Sequence, residues 1–124
     1  MIAFKANEKL FRAVRDKPKF WKKDGSLSSL AFKTRTEIKE KGTSVFRQDG
    51  RTLEESLNSI TKILEGSIVS VTYSECQEVD ISVEETDPKT FHYELKNAKH
   101  TDEYTGLTDL QSQYLADKAI IEKK

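Results

Sequence analysis

Cationic and hydroxyl side chains recur in the first half of the sequence, in segments that could line one end of a sheet. Arginine and lysine donate charged hydrogen bonds to phosphate or carboxylate groups, and serine hydroxyls add neutral donors. We therefore predict a site for an anionic small ligand, such as a nucleotide or phosphate. Its predicted members are Arg12, Arg15, Ser28, Ser29, Lys33, Ser44 and Arg47.

An enzymatic alternative uses some of the same residues. Arg12, Ser44 and Glu94 occur in the order that would suit transfer of ADP-ribose or a related phosphate reaction. The arginine would hold the diphosphate, the serine would contact the ribose, and the carboxylate would stabilise positive charge. A hydrolase is disfavoured, because Ser44 lacks the glycine pattern of a nucleophile elbow. We assign no catalytic residue and favour a binding or accessory role.

A basic and aromatic segment at residues 17–23 offers a third reading. Two aromatic rings surrounded by lysines can stack on single-stranded bases, but such rings also serve as core anchors beneath lysine stems. The residues of this nucleic-acid alternative are Lys19, Phe20, Trp21, Lys22 and Lys23.

The sequence offers little to a metal ion, a cofactor or a disulfide. Cys76 is the only cysteine, and Glu75 and Glu78 beside it favour an inert thiol. His92 and His100 lie eight residues apart across a predicted loop, which does not favour a metal site. With no membrane-length apolar run of about 18 residues and no signal core, we predict a cytoplasmic protein without a membrane partner.

Charge is distributed unevenly along the 124 residues. Residues 1–62 hold 15 basic and 8 acidic side chains, whereas residues 63–124 hold 6 and 13, so the halves carry net charges of +7 and −7. The basic half could face an anionic ligand, or the two halves could neutralise each other. The length fits a single domain spanning residues 1–124.

The hydrophobic pattern predicts an α+β fold with a curved, mostly antiparallel sheet and two amphipathic helices. The predicted helices are 52–65 and 108–122, and each begins with a capping box, Thr52 to Glu55 and Thr108 to Gln111. The predicted strands are 10–15, 30–32, 43–47, 67–73, 79–83 and 91–95, with a mobile loop or helical turn from Thr34 to Lys41 and a turn at Asp87-Pro88.

The spacing of apolar residues predicts which faces are buried. In the first helix Leu53, Leu57, Ile60 and Leu64 share a face, and Gly66 is the expected stop. In the second helix the predicted apolar positions are Leu107, Leu110, Tyr114 and Ile121. In the last predicted strand Phe91, Tyr93 and Leu95 should be buried together, leaving His92 and Glu94 on the opposite face.

Three blocks of the sequence, Arg12-Ala13-Val14, Asp24 to Lys33 (DGSLSSLAFK) and Ser44-Val45-Phe46-Arg47, resemble an uncharacterised family of small bacterial or mobile-element proteins. Gly66, the Glu75-Cys76 pair, Asp87-Pro88 and His92 fill further places of that pattern. The resemblance adds His92 to the predicted ligand site and implies that any pocket lies where the three blocks meet. It implies no chemistry. The partner could therefore be an anionic small molecule, a protein or a nucleic acid, and the oligomeric state is left open.

Overall fold

The computed structural model of this chain describes residues 3–34, 41–99 and 106–124. Residues 35–40, which form most of the loop predicted from Thr34 to Lys41, lie outside the described residues, and so does His100. The described residues form one open antiparallel sheet accompanied by helices, so the predicted α+β class is confirmed. No helix within these ranges is both long and apolar enough to cross a membrane.

The sheet contains six strands. They are β1 (Lys9–Val14), β2 (Thr43–Arg47), β3 (Ser67–Thr72), β4 (Ile81–Asp87), β5 (His92–Asn97) and β6 (Ile120–Lys123). Their order is β4-β5-β2-β1-β3-β6, and every neighbouring pair is antiparallel. The prediction for residues 43–47 is confirmed at both ends, and four other predicted strands overlap β1, β3, β4 and β5.

Both faces of the sheet are covered over part of their area. Leu10 belongs to the main buried cluster and Phe11 to a second cluster with Ile60 and Ile68. Because successive side chains of a strand point to opposite faces, these clusters lie on opposite sides of β1. The central strand is therefore buried on both faces.

The first helix, α1 (Leu53–Thr61), begins where the sequence predicted. Thr52 Oγ1 accepts from the Glu55 amide at 3.1 Å, and the Glu55 carboxylate accepts from the Thr52 amide at 3.0 Å. The helix ends four residues before the predicted end at 65. Ile60 is buried, but Leu53 and Leu64 are 38% and 43% exposed, so the predicted four-residue face was wrong at its ends. Leu64 follows the helix and does not continue its buried stripe.

A second helix, α2 (Tyr73–Glu78), was not predicted. Thr72 and Glu75 form a capping box at its start, with hydrogen bonds of 3.2 and 2.8 Å. The helix buries Cys76 and ends at Val79, which is why β4 begins at Ile81 and not at residue 79.

The last helix, α3 (Asp109–Lys118), has the predicted capping box at Thr108 but stops before the predicted end at 122. Residues from Ile120 form β6, because two β-branched residues pair there with β3. Of the residues predicted to be buried, Leu107 is buried, but Leu110 is 84% exposed and Ile121 is 37% exposed, so the predicted face was wrong there. The helix buries Gln111, Ser112, Leu115 and Ala116 instead.

Residues 30–32 and Phe91 differ from the predictions. Residues 30–32 do not form a strand: Ser29–Ala31 is a 3-10 turn, in which the Phe32 amide donates to the Ser29 carbonyl at 3.1 Å. The turn predicted at Asp87-Pro88 is present, because β4 ends at Asp87 and a 3-10 turn at Pro88–Thr90 reverses the chain into β5. Phe91 has a positive φ of 61° and precedes β5, so it does not share the buried face of Tyr93 and Leu95.

Candidate functional site

A groove with a cavity volume of about 380 Å³ lies beside the central strands. We call it the basic groove, and its polar lining residues are Arg12, Arg15, Lys17, Lys19, Ser44 and His92. Its apolar lining includes Phe20, Phe46 and Leu64, and among the described lining residues Glu65 is the only acidic one. The groove therefore brings together four of the eight predicted ligand-site residues, namely Arg12, Arg15, Ser44 and His92. It also includes Lys19 and Phe20 from the nucleic-acid alternative.

Arg12 ties together the three segments on which the family resemblance rests. Its Nε donates to the carbonyl of Ala31 at 2.6 Å, and its Nη1 donates to the carbonyl of Ser44 at 2.8 Å. The β1–β2 ladder contains only the pairs Leu10 with Arg47 and Phe11 with Phe46. The Arg12 guanidinium thus links β1 to β2 beyond the point where the ladder stops, and it forms part of the groove wall.

Three other cations of the groove have no acidic partner among the described residues. Within the ranges that the structure describes, Arg15, Lys17 and Lys19 form no ion pair, and all three are exposed. Other cations are neutralised across the two halves of the chain, as Lys9 is by Glu122 and Lys33 by Asp109. Part of the charge asymmetry is therefore cancelled internally, while these three positive charges stay beside the groove.

The loop that carries these cations, residues 15–23, is called the basic loop below. It is held in place by hydrogen bonds that its carbonyl oxygens accept. Ser28 Oγ donates to the Lys19 carbonyl at 2.6 Å, and Trp21 Nε1 donates to the Arg15 carbonyl at 3.0 Å. The Ser28 amide also donates to the Phe20 carbonyl at 2.9 Å. Ser28 and Trp21 therefore position the basic loop and do not line the groove.

The turn after the basic loop is held by its own side chains. Asp24 Oδ1 accepts from the amide and the hydroxyl of Ser26, at 2.9 and 2.6 Å, and these hydrogen bonds lower the pKa of Asp24. Gly25 adopts a φ of +87°, which suits a residue without a side chain. The stretch from Asp24 to Ser28 is thus a corner that fixes the loop beside the groove.

His92 enters the groove with one ring nitrogen already engaged. The Thr86 hydroxyl donates its single proton to the His92 carbonyl at 3.0 Å, and Thr86 Oγ1 also contacts His92 Nδ1. Nδ1 is therefore engaged by Thr86, which leaves Nε2 for other contacts. The imidazole ring also packs edge-on against Phe46, with ring centroids 5.4 Å apart.

Arg47 lies away from the groove, in the interior. Its Nε and Nη2 donate to the two Glu8 carboxylate oxygens at 2.6 and 3.2 Å, and its guanidinium carbon lies 3.9 Å from the Phe4 ring centroid. Burial lowers the pKa of Arg47, but the hydrogen bonds to Glu8 and Tyr93 outweigh it and raise the pKa above its ordinary value. Ser44 and Arg47 stand three positions apart on β2 and therefore face opposite sides of the sheet.

The remaining predicted residues lie elsewhere. Lys33 pairs with Asp109 at 3.3 Å on the surface, and Ser29 begins the 3-10 turn. Lys22 and Lys23 are exposed and do not line the groove. Sequence reasoning named neither Leu64 nor Glu65 as groove residues. The one sequence feature that could have indicated their position is Gly66, because its close approach to Val14 brings residues 64–66 against the end of β1.

The chemistry of the other reactive groups is limited. Burial, with a smaller contribution from Glu75, raises the pKa of the Cys76 thiol to about 12, and the side chain is fully buried. Cys76 is therefore a core residue, as the sequence suggested. The part of the chain that the structure describes holds no cluster of three or more histidine, cysteine, aspartate or glutamate residues able to bind a metal ion.

Comparisons of this chain with protein-family models, with curated proteins and with solved structures found no match. A function can therefore be proposed only from the geometry of the groove.

Proposed function

We propose that this protein binds an anionic, nucleotide-like small molecule in the basic groove, without catalysis. The observation that carries the proposal is the convergence of Arg15, Lys17 and Lys19, which lack acidic partners in the described structure, on one concave surface. Like charges placed together repel one another, and a bound anion relieves this repulsion. The deeper Arg12 adds a fourth positive charge to the wall.

The size and the lining of the groove suit a nucleotide. Its volume of about 380 Å³ lies in the range of small-molecule sites, about 300–1,000 Å³. Phe20, Phe46 and Leu64 give it an apolar surface beside the cations. Such a mixture accommodates a ligand that has one charged part and one flat, less polar part.

A titration with matched lysine variants tests the proposal. Isothermal calorimetry with ATP and with inorganic pyrophosphate should detect binding to the wild type that weakens as salt rises. Loss of one charge-assisted hydrogen bond costs about 1.5 kcal/mol, so Lys17→Gln together with Lys19→Gln should weaken binding at least about tenfold. The control is Lys22→Gln with Lys23→Gln, which removes the same charge from the same loop outside the groove.

The control variant also separates the alternatives. If neither ATP nor pyrophosphate binds, or if both double variants weaken binding equally, a localised anion site in the groove is refuted. Salt-sensitive binding of single-stranded oligonucleotides that depends on Lys22 and Lys23 would favour the nucleic-acid alternative. Turnover of NAD that is lost in Glu94→Gln would favour the transferase alternative with Arg12 and Ser44.

A further inference from the structure

A carboxylate and a hydroxyl stand side by side at the border of the basic groove. Ser44 of β2 and Glu94 of β5 are register partners, and Cβ atoms of such antiparallel partners lie about 5 Å apart. Tyr93 and Leu95 are buried in the main cluster, so Glu94 points to the other face of the sheet. Since Ser44 lines the groove, Glu94 is the neighbour of a lining residue on the same face of the sheet.

Neither side chain has a hydrogen-bond or ion-pair partner among the residues that the structure describes. Among residues 3–34, 41–99 and 106–124, no hydrogen bond or ion pair engages Ser44 Oγ or the Glu94 carboxylate, although both residues are half-buried. Glu84, the partner of Glu94 on β4, is by contrast held by Lys96 Nζ at 3.1 Å. Both groups therefore keep their hydrogen-bonding capacity for a ligand.

Gly42 restricts the position of Glu94. A Cβ atom built on Gly42 would lie 3.0 Å from the Glu94 Cβ and 2.9 Å from the Leu95 carbonyl oxygen. The base of the Glu94 side chain is therefore packed against the Gly42 backbone, which blocks movement in that direction. Gly42 thus leaves room for the Glu94 side chain beside its register partner Ser44, and a larger residue at position 42 would not.

The two ends of this site favour opposite chemistry. Arg15, Lys17 and Lys19 attract an anion, whereas the Glu94 carboxylate repels an anion and accepts hydrogen bonds from hydroxyl groups. A ligand that fits both ends carries its charge on one part and neutral hydroxyls on another. We infer, building on the proposed function, that the ligand is a phosphorylated ribose, as in a ribonucleotide or a ribose phosphate, whose sugar hydroxyls bind Glu94 and Ser44.

The test measures discrimination between sugars. Calorimetric titrations use four probes, namely ATP, 2′-deoxy-ATP, ribose 5-phosphate and pyrophosphate, with the wild type, Glu94→Ala and Ser44→Ala. Removal of one hydroxyl that donates to a carboxylate should make 2′-deoxy-ATP at least about tenfold weaker than ATP for the wild type. Glu94→Ala should reduce this ratio to below about twofold and should bind pyrophosphate at least as tightly as the wild type does, which also shows that the variant is folded.

Each outcome decides between the two proposals. Equal wild-type affinities for ATP and 2′-deoxy-ATP, or an unchanged ratio in Glu94→Ala, would overturn the sugar inference, while the proposed function would stand if pyrophosphate still binds. Absence of binding by both ATP and pyrophosphate would refute the proposed function itself. Binding of ribose 5-phosphate that is as tight as that of ATP and depends on Glu94 would support the inference with a ribose phosphate as the ligand.

Discussion

Substitution of Arg47 by methionine removes the cation from a buried ion pair while keeping a long side chain in its place. The side chains of Arg47 and Glu8 are only 2% and 8% exposed. Without the guanidinium, the Glu8 carboxylate stays buried, with the Asp49 amide at 3.0 Å as a remaining donor. Because an uncompensated buried charge is unfavourable, we expect Arg47→Met to destabilise the fold strongly.

The size of the effect follows from the contacts that are lost. Removing one partner of a buried ion pair costs about 3–5 kcal/mol, and the contact of Arg47 with the Phe4 ring contributes about 0.5–2 kcal/mol within that loss. With a urea m value of about 2 kcal/mol/M, the unfolding midpoint should fall by about 2 M. Urea denaturation followed by circular dichroism measures this shift.

Two further variants make the test specific. Lys33→Gln breaks an exposed ion pair with Asp109 and should change the unfolding free energy by less than about 0.5 kcal/mol. Arg47→Met combined with Glu8→Leu removes both charges and should recover at least half of the loss. A loss below about 1 kcal/mol for Arg47→Met, or an equal loss for Lys33→Gln, would refute the interpretation of Arg47 as a buried structural cation.

Three further predictions concern two glycines with positive φ, the buried Cys76 thiol and the buried Ser112 hydroxyl. Gly66→Ala places a Cβ 2.5 Å from the Val14 carbonyl oxygen at a φ of +110° and should lower the free energy of unfolding by about 3 kcal/mol. Gly25 has open space around it, so Gly25→Ala should lower the free energy of unfolding by only about 1 kcal/mol. Thermal melts of the two variants measure the difference. Burial raises the pKa of Cys76 from 9.0 to about 12, so the unfolded chain loses this proton first and stability falls as the pH rises through that window. Relative to Cys76→Ala, the wild type should lose about 1.4 kcal/mol between pH 8 and pH 10 in urea denaturation, and a constant difference would contradict this. Ser112 Oγ is buried without a hydrogen-bond partner in the described structure, so Ser112→Ala should raise the unfolding free energy by about 1 kcal/mol, and a lower melting temperature would disprove it.

Helix starts could be predicted from the sequence far better than helix ends. Thr52 and Thr108 predict the starts of α1 and α3, because a capping box is a local interaction within four residues. Thr72 and Glu75 carry the same signature, but the β-branched run before them concealed α2. The end of α3 depends on pairing between β6 and β3, two segments about 50 residues apart in sequence, and no local stop signal precedes it.

The site could be predicted in part, and the reason differs from residue to residue. Arg12, Ser44 and His92 converge where the family resemblance implied a pocket. The strand pattern alone could have excluded Arg47 from a site that contains Ser44, because residues three positions apart on a strand face opposite sides of the sheet. The partner of Arg47 is Glu8, which lies 39 residues away in the sequence. A contact between residues so far apart cannot be predicted from the local hydrophobic pattern.

The strand order has a consequence for how the protein is made. One of the two central strands, β1, is the first of the six described strands to be synthesised, yet its neighbours β2 and β3 begin at residues 43 and 67. While the ribosome elongates the chain, both hydrogen-bonding edges of β1 therefore wait unpaired, and Phe11 has no covering helix until Ile60 emerges. Open strand edges invite pairing with other chains, so the nascent protein is exposed to such pairing along β1 until β3 is complete at residue 72.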